Sequence, residues 1–221
     1  MGRRIHLNTT RMQCIGAYLA EPTEKPRGGI VVIQEIFGVT AHIRKVTDHF
    51  AELGYTAIAP AFFDHLETGL ELGYDTAGTE EGRKRVAELG LERPLEDVAS
   101  AAEAIASAGR IGTVGYCWGG TVALLAALRL GLPSVSYYGA RNLPFLGETP
   151  KAPVMFHFGE KDRSIPADVV EKHRLMLPQM DVFTYPADHA FNRDVGHAYD
   201  ASSAALALER TMGFFDNYLH A

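Results

Sequence analysis

Short runs of apolar residues alternate along the chain with stretches in which apolar residues recur every three or four positions. The apolar runs have the length of strands and lack a polar face, which is typical of strands buried on both sides of a sheet. A shorter, partly alternating pair around residues 5–7 and 15–19 predicts a hairpin at a sheet edge. The predicted buried strands are residues 29–34, 55–59, 110–114, 134–138, 154–158 and 182–185.

The segments between these strands carry the spacing of amphipathic helices. Ile43, Val46, Phe50 and Leu53 lie on one helical face before Gly54. Further helices are predicted over residues 80–89, from Pro94 to Gly109, over 121–128 and 167–177, and near the C-terminus, with residues 61–82 as a loop or lid. Alternating strands and helices predict an α/β fold, with a mostly parallel sheet covered by helices on both faces. We expect one domain over residues 1–221.

Ligands of such sheets bind at the carboxyl ends of the strands, so the residues that follow each strand are candidates for a site. Four reactive side chains occupy these positions: Glu35, Cys117, Asp162 and His189. Cysteine, aspartate and histidine follow one another in the nucleophile–acid–base order of α/β-hydrolases. A thiol needs a base to become a thiolate, and the base needs a carboxylate that orients it.

Cys117 lies within Gly115-Tyr116-Cys117-Trp118-Gly119-Gly120, between a predicted strand and a predicted helix. This spacing is the pattern of a nucleophile elbow, in which small residues let the backbone turn sharply under an exposed side chain. The start of a helix also favours a thiolate at this point. The alternative interpretation is a buried structural cysteine beside a tight turn.

The acid and the base of this predicted triad have alternative interpretations as well. Asp162 could cap a helix ahead of Ile165-Pro166, and Glu160 and Asp188 are rival carboxylates for the acid role. His189 could be a histidine of a loop without a catalytic function. The three residues together are a stronger indication than any one of them, because they occur in order and each follows a strand.

Charge and composition exclude several classes of function. A net charge of -6 over 221 residues gives no reason to expect nucleic acid or an acidic membrane surface as a partner. No apolar run is long enough to cross a membrane, and the basic N-terminal segment lacks the apolar core of a signal peptide. Two cysteines, one at an elbow, favour a reduced, cytoplasmic setting. No spacing of histidine, glutamate or cysteine indicates a metal site.

Several motifs resemble the dienelactone hydrolase family over nearly the whole chain. They are Gln34-Glu35-Ile36-Phe37-Gly38, the elbow, Tyr137-Tyr138-Gly139, Phe158-Gly159-Glu160-Lys161-Asp162 and His189-Ala190-Phe191-Asn192-Arg193. The resemblance implies a single α/β-hydrolase domain with a Cys-Asp-His triad and no cofactor. Its best-known members hydrolyse dienelactone, which is carboxymethylenebutenolide.

The resemblance also assigns roles to individual residues. It implies that Cys117 is the nucleophile, His189 the base and Asp162 the group that orients it. The backbone N–H groups of Ile36 and Trp118 would form the oxyanion hole. Glu35 resembles the buried glutamate of the family that contacts the resting thiol.

The family binds the carboxylate of its substrate with two arginines. Arg193 matches one of them; Arg83 is our choice for the other, and Arg85 is its rival. Tyr138 is a further candidate for substrate binding, from the third motif. The chain departs from the family at Ala190, where a serine is common, and lacks the aromatic residues expected around residues 87–90. We therefore expect the chemistry to be retained on an anionic substrate that differs from the family's.

The first hypothesis is thus a cysteine-dependent hydrolase of a lactone or small carboxylic ester. A glutamine-amidotransferase-like domain is an alternative from another class, although the His-x-Glu sequence usual in those enzymes is absent after His189. A binding domain without catalysis is a third hypothesis, against which the complete set of three reactive residues argues.

Overall fold

The computed structural model describes residues 1–10 and 13–220. The strands are β1 Arg3–Asn8, β2 Cys14–Ala20, β3 Gly29–Ile33, β4 Thr56–Pro60, β5 Ile111–Tyr116, β6 Ser134–Tyr137, β7 Val154–Gly159 and β8 Asp181–Tyr185. The α-helices are α1 Ala41–Glu52, α2 Thr76–Leu89, α3 Glu92–Ala104, α4 Trp118–Leu125, α5 Ala167–Met176 and α6 Ala201–Leu219. Short 3-10 turns occupy Phe62–His65, Ala106–Ala108 and Leu143–Phe145, and a π-helical turn, Ala126–Leu130, extends α4.

The strands form a sheet in the order β1-β2-β4-β3-β5-β6-β7-β8. The β1–β2 and β2–β4 pairs are antiparallel, whereas the β3–β4, β6–β7 and β7–β8 pairs are parallel. The edge hairpin and the α/β fold with a mostly parallel sheet are therefore confirmed. Residues Ile30 to Ile33 of strand β3 are completely buried, which explains why the sequence of this strand is uniformly apolar.

The chain divides into two compact units, of which the first is Met1–Thr113 with the end of α6. In this unit α2 packs closely on the segment that follows β3. A Cβ atom on Gly82 would lie 2.2 Å from the carbonyl oxygen of Ile36, so only glycine permits this approach. Helix α2 begins at Thr76 and not near residue 80, because the Asp75 carboxylate accepts a hydrogen bond from the Gly78 N–H at 2.7 Å and caps it.

The second unit, Val114–Tyr218, contains the end of β5, the helices α4 and α5, strands β6 to β8 and most of α6. Helix α4 is buried on all sides, and Val122 to Leu125 have no exposed surface. Its first turn is held by a hydrogen bond from the Thr121 hydroxyl to the Asn142 side-chain oxygen at 2.8 Å. That the chain forms one domain over residues 1–221 stays a prediction.

Among the helices of the described residues, none is both long and apolar enough to span a bilayer.

Candidate active site

Cys117 lies at the sharp turn between β5 and α4, where the spacing of glycines predicts an elbow. Its backbone angles are φ 56° and ψ −120°, a conformation that residues other than glycine rarely adopt. The Cys117 N–H donates to the Tyr137 carbonyl at 3.0 Å, and the Cys117 carbonyl accepts from the Gly120 N–H at 2.9 Å. These bonds hold the strained residue in place, as is common for residues with a catalytic role.

Gly115 makes the elbow possible. A Cβ atom at this position would lie 1.9 Å from the Gly119 carbonyl oxygen, so no larger residue fits without moving the start of α4. The close approach of the end of β5 to the first turn of α4 therefore lifts the Cys117 side chain out of the turn. The thiol is neither fully buried nor fully exposed, and it forms no disulfide.

His189 and Asp162 meet because the loops after β7 and β8 are in contact. A Cβ atom on Gly159 would lie 2.5 Å from the Ala187 carbonyl oxygen, and the Lys161 N–H donates to the same oxygen at 2.9 Å. The result is a hydrogen bond of 2.6 Å between His189 Nδ1 and Asp162 Oδ2. Asp162 Oδ1 accepts from the Ser164 N–H at 2.8 Å, so both oxygens of this buried carboxylate are engaged.

The two rival carboxylates lie elsewhere. Glu160 is exposed, and Asp188 is exposed with its Oδ1 accepting from the backbone N–H of His189 at 2.7 Å. Of these three acids, the structure places only Asp162 against the imidazole ring.

Burial and the neighbouring groups act in opposite directions on the pKa of His189. Burial lowers the pKa, but charge interactions and hydrogen bonding with Cys117 and Asp162 outweigh it and raise the pKa to about 10. Since Nδ1 is bonded to Asp162, Nε2 is the ring nitrogen left for an interaction with Cys117. The raised pKa favours a protonated imidazole at neutral pH.

Tyr138 forms a wall next to this histidine. Its φ angle is 41°, its side chain is buried, and its ring centre lies 5.1 Å from that of His189 and 5.4 Å from that of Phe191. Trp118, the first residue of α4, is also buried.

A buried hydrogen-bonded chain behind this wall has no signal in the local sequence. Arg210 Nη1 donates to the Tyr185 hydroxyl at 3.1 Å, and that hydroxyl lies 2.8 Å from His157 Nδ1. His157 Nε2 lies 3.1 Å from the Thr211 hydroxyl, which also bonds the Tyr137 hydroxyl at 2.8 Å. Spacing along the chain could not have predicted a contact between β7 and α6.

Burial gives His157 a role in acid stability. Burial, helped by the charge of Arg210, lowers the pKa of His157 to about 3. An unfolded histidine has a pKa of about 6.5. Between this value and the lower pKa of the folded state, the unfolded chain therefore binds a proton at His157 that the folded chain does not bind. This contribution is fully present above about pH 6.5 and is lost as the pH falls towards about 3, at up to ~5 kcal/mol.

We therefore expect the free energy of unfolding of His157→Leu to be lower than that of wild type at pH 7 and to vary less between pH 6.5 and 4. Urea unfolding across this range measures the difference, with the exposed His197→Gln as the matched control. Parallel pH profiles for wild type and His157→Leu would contradict the assignment.

The other residues that the sequence suggests for the site differ in burial and in hydrogen-bond partners. Glu35, two residues beyond β3, is only 1% exposed, so its carboxylate does not lie in solvent. Ile36 beside it is also buried.

On α2, Arg83 is exposed, whereas Arg85 binds Glu81 at 2.6 Å and Glu67 at 3.0 Å. In the loop after His189, the half-buried Arg193 donates from Nε to the Val195 carbonyl at 3.0 Å. The roles of all of these residues stay predictions.

No group of three or more histidine, cysteine, aspartate or glutamate side chains within residues 1–10 and 13–220 could hold a metal ion.

Comparison with known proteins places the chain in a family. The model of the dienelactone hydrolase family matches residues 15–219. The carboxymethylenebutenolidase of Pseudomonas putida is 33% identical, with 90% of this chain and 89% of that protein covered. A Synechocystis sp. protein assigned as a carboxymethylenebutenolidase is 35% identical over 93% of this chain and 92% of its own. The crystal structure of a Klebsiella pneumoniae protein assigned as a dienelactone hydrolase superposes with a TM-score of 0.86 at 30% identity, covering 99% of this chain and 100% of that one. The chain therefore belongs to the dienelactone hydrolase family and is a hydrolase that acts on esters or lactones.

Proposed function

We propose that this hydrolase cleaves a lactone or small carboxylic ester through a thioester on the Cys117 sulfur. One observation carries the proposal: His189, whose Nδ1 lies 2.6 Å from the buried Asp162, interacts electrostatically with a strained elbow cysteine. This is the geometry of a nucleophile, a base and an orienting acid. The family match supports the hydrolase over the amidotransferase-like and the non-catalytic alternatives.

The proposed reaction has two halves. The Cys117 thiolate attacks the ester carbonyl carbon, the carbon–oxygen bond breaks, and the leaving alkoxide or enolate takes the proton of His189. The imidazole then accepts a proton from water, whose oxygen attacks the thioester carbon and releases Cys117 as a thiolate with the carboxylic acid product. Asp162 stabilises the imidazolium and fixes the orientation of the ring in both halves.

The family resemblance assigns the developing oxyanion to the backbone N–H groups of Ile36 and Trp118. Trp118 is the first residue of α4, and the N–H groups in the first turn of a helix have no partner within the helix. Such donors, fixed before the reaction begins, are among the largest contributions to catalysis of acyl transfer.

Glu35 is proposed to keep the resting thiol unreactive and to take up its proton when substrate binds. Glu35 is only 1% exposed, so water screens its interactions with a neighbouring group far less than those of a surface carboxylate. We expect Glu35→Gln to change the rate of Cys117 alkylation by iodoacetamide, the pH profile of that rate, and turnover. Alkylation and turnover that both match wild type would remove Glu35 from the mechanism.

The substrate is proposed to be an anion that Arg193 and Arg83 recognise and that packs against Tyr138. Arg193 lies four residues past the catalytic histidine. Arg83 has no ion pair among the described residues, whereas the two carboxylates that bind Arg85 neutralise its charge. A guanidinium group binds a carboxylate through two parallel hydrogen bonds and so fixes the scissile carbonyl relative to the nucleophile.

We expect Arg193→Ala to lower kcat/KM for a carboxylate-bearing lactone by about 10- to 100-fold, the effect of losing one charge-assisted hydrogen bond. Hydrolysis of a neutral aryl acetate, measured on the same preparation, should change little. Equal losses on both substrates would show that Arg193 supports the loop and does not recognise charge.

A panel of small lactones and aryl esters, with and without a carboxylate, tests the proposed function. Wild type should hydrolyse several of them, Cys117→Ala none, and Cys14→Ala as many as wild type. Hydrolysis by Cys117→Ala at the wild-type rate would overturn the proposal. We further propose a cytoplasmic location from the two free cysteines, and no nucleic acid or membrane as partner from the net charge of -6. The family resemblance implies that the enzyme uses no cofactor.

A further inference from the structure

A cavity of about 470 Å³ lies in the first unit, between the β1–β2 hairpin and residues 61–71. It has the size of a small-molecule site. Its lining includes none of Cys117, Asp162 and His189, so the chemistry proposed above leaves it without a role. We call it the hairpin cavity. Its apolar lining residues are Ile5, Ala17, Val39, Ala61, Phe63 and Leu70, with the ring of Tyr18.

Three charged lining residues form one cluster. Arg44 Nη1 binds Glu71 Oε1 at 2.6 Å, and Arg4 Nη2 binds the same oxygen at 3.2 Å. Two guanidinium groups therefore share one carboxylate oxygen. The cluster has an excess of one positive charge, and both arginines have further N–H donors that this bond does not use.

The other carboxylate of the lining, Asp64, keeps its negative charge but forms no ion pair with Arg4 or Arg44 among the described residues. Asp64 Oδ2 accepts from the Gly16 N–H at 2.7 Å, and its Oδ1 accepts from the Gly69 N–H at 2.7 Å. Both of its oxygens are thus occupied by backbone donors that hold the hairpin to the following loop. Arg44 is half-buried and also donates to the Val39 carbonyl, so its guanidinium group is fixed at the cavity.

We propose that the hairpin cavity is a second ligand site, separate from Cys117, which binds a small carboxylate with an apolar or aromatic body. The apolar lining takes the body of the ligand. The ligand's carboxylate binds Arg44 and Arg4 and competes with Glu71 for them. This inference does not depend on the mechanism proposed for Cys117.

Cys14 makes occupancy measurable at the cavity itself. It is an exposed thiol in the lining, and it is one of only two cysteines in the chain. In Cys117→Ala it is the single thiol left, and turnover no longer interferes. A ligand in the hairpin cavity should therefore slow alkylation of Cys14 by the neutral reagent N-ethylmaleimide.

The test titrates Cys117→Ala with the fluorescent acid 6-hydroxy-2-naphthoate, and with its neutral amide as the matched probe. We expect saturable binding of the acid, protection of Cys14 with the same midpoint, and much weaker binding of the amide. Added in the same background, Arg44→Met should raise the Kd of the acid about tenfold or more, because a charge-assisted hydrogen bond is lost. Glu71→Gln should lower it severalfold, because the competing carboxylate is gone.

Arg3→Met is the control for a surface arginine on the same strand, since Arg3 pairs with Glu21 outside the cavity, and it should leave the Kd unchanged. Unprotected Cys14 at saturating acid, or a Kd that responds to Arg193→Met and not to Arg44→Met, would overturn the proposal. Arg44→Lys keeps the charge with a different geometry. If it binds the acid better than Arg44→Met does, a folding defect at residue 44 is not the cause of the loss.

Discussion

Cys117→Ala is expected to lower kcat for ester or lactone hydrolysis by about 10⁴- to 10⁶-fold, the loss seen when an enzyme's nucleophile is removed. The thiol is the only group at the elbow that the proposed mechanism allows to attack the carbonyl. The Cys117 backbone, with its φ of 56°, is held by hydrogen bonds to Tyr137 and Gly120 that alanine can keep. The variant should therefore remain folded, with a melting temperature close to that of wild type.

Two measurements separate this loss from an unspecific one. Cys14→Ala removes the other thiol, which lies on strand β2, and should retain wild-type kcat. Adding His189→Ala to Cys117→Ala should cause little further loss, because the residues act as one unit. Additive losses in the double variant would argue against a shared mechanism.

Asp162→Asn is expected to lower kcat by about 10²- to 10⁴-fold with a smaller change in KM. The amide has the shape of the carboxylate but can present its NH₂ group to His189 Nδ1, which favours the tautomer whose proton is on Nε2. The imidazolium also loses its anionic partner. Asp162 contributes to the raised pKa of His189, so the pH profile of activity should shift as well.

The matched control for Asp162→Asn is Asp188→Asn. Asp188 is the neighbouring carboxylate; it is exposed, its Oδ1 accepts from the backbone N–H of His189, and its loss should change kcat by no more than about twofold. If Asp188→Asn lost more activity than Asp162→Asn, the orienting acid would have been assigned to the wrong residue.

The sequence alone is sufficient to predict structural features whose determinants are local. The elbow depends on the glycines around Cys117, of which Gly115 makes a contact across only four residues, and the buried strands depend on uninterrupted apolar runs. The family resemblance assigns the acid role to Asp162, but spacing along the chain alone leaves Glu160 and Asp188 as rivals. Only the contact between the loops after β7 and β8, made possible by Gly159, shows which of them meets His189.

Other features lay beyond sequence reasoning for different physical reasons. The start of α2 was placed too late because Gly78 and Gly82 weaken the helical pattern, although Asp75 caps the helix and Gly82 is needed for close packing. The chain of hydrogen bonds through His157 joins residues more than 50 positions apart, so no local pattern predicts it.

Detection of an acyl group on Cys117 tests the central claim most directly. His189→Gln, which lacks the base that activates water, is mixed with an activated aryl ester, quenched in acid and digested for mass spectrometry. The account predicts one acyl group per chain, on the peptide that contains Cys117 and removable by hydroxylamine, with no such group on Cys117→Ala. An acyl group on another residue, or aryl alcohol released by His189→Gln while Cys117 stays unmodified, would contradict it.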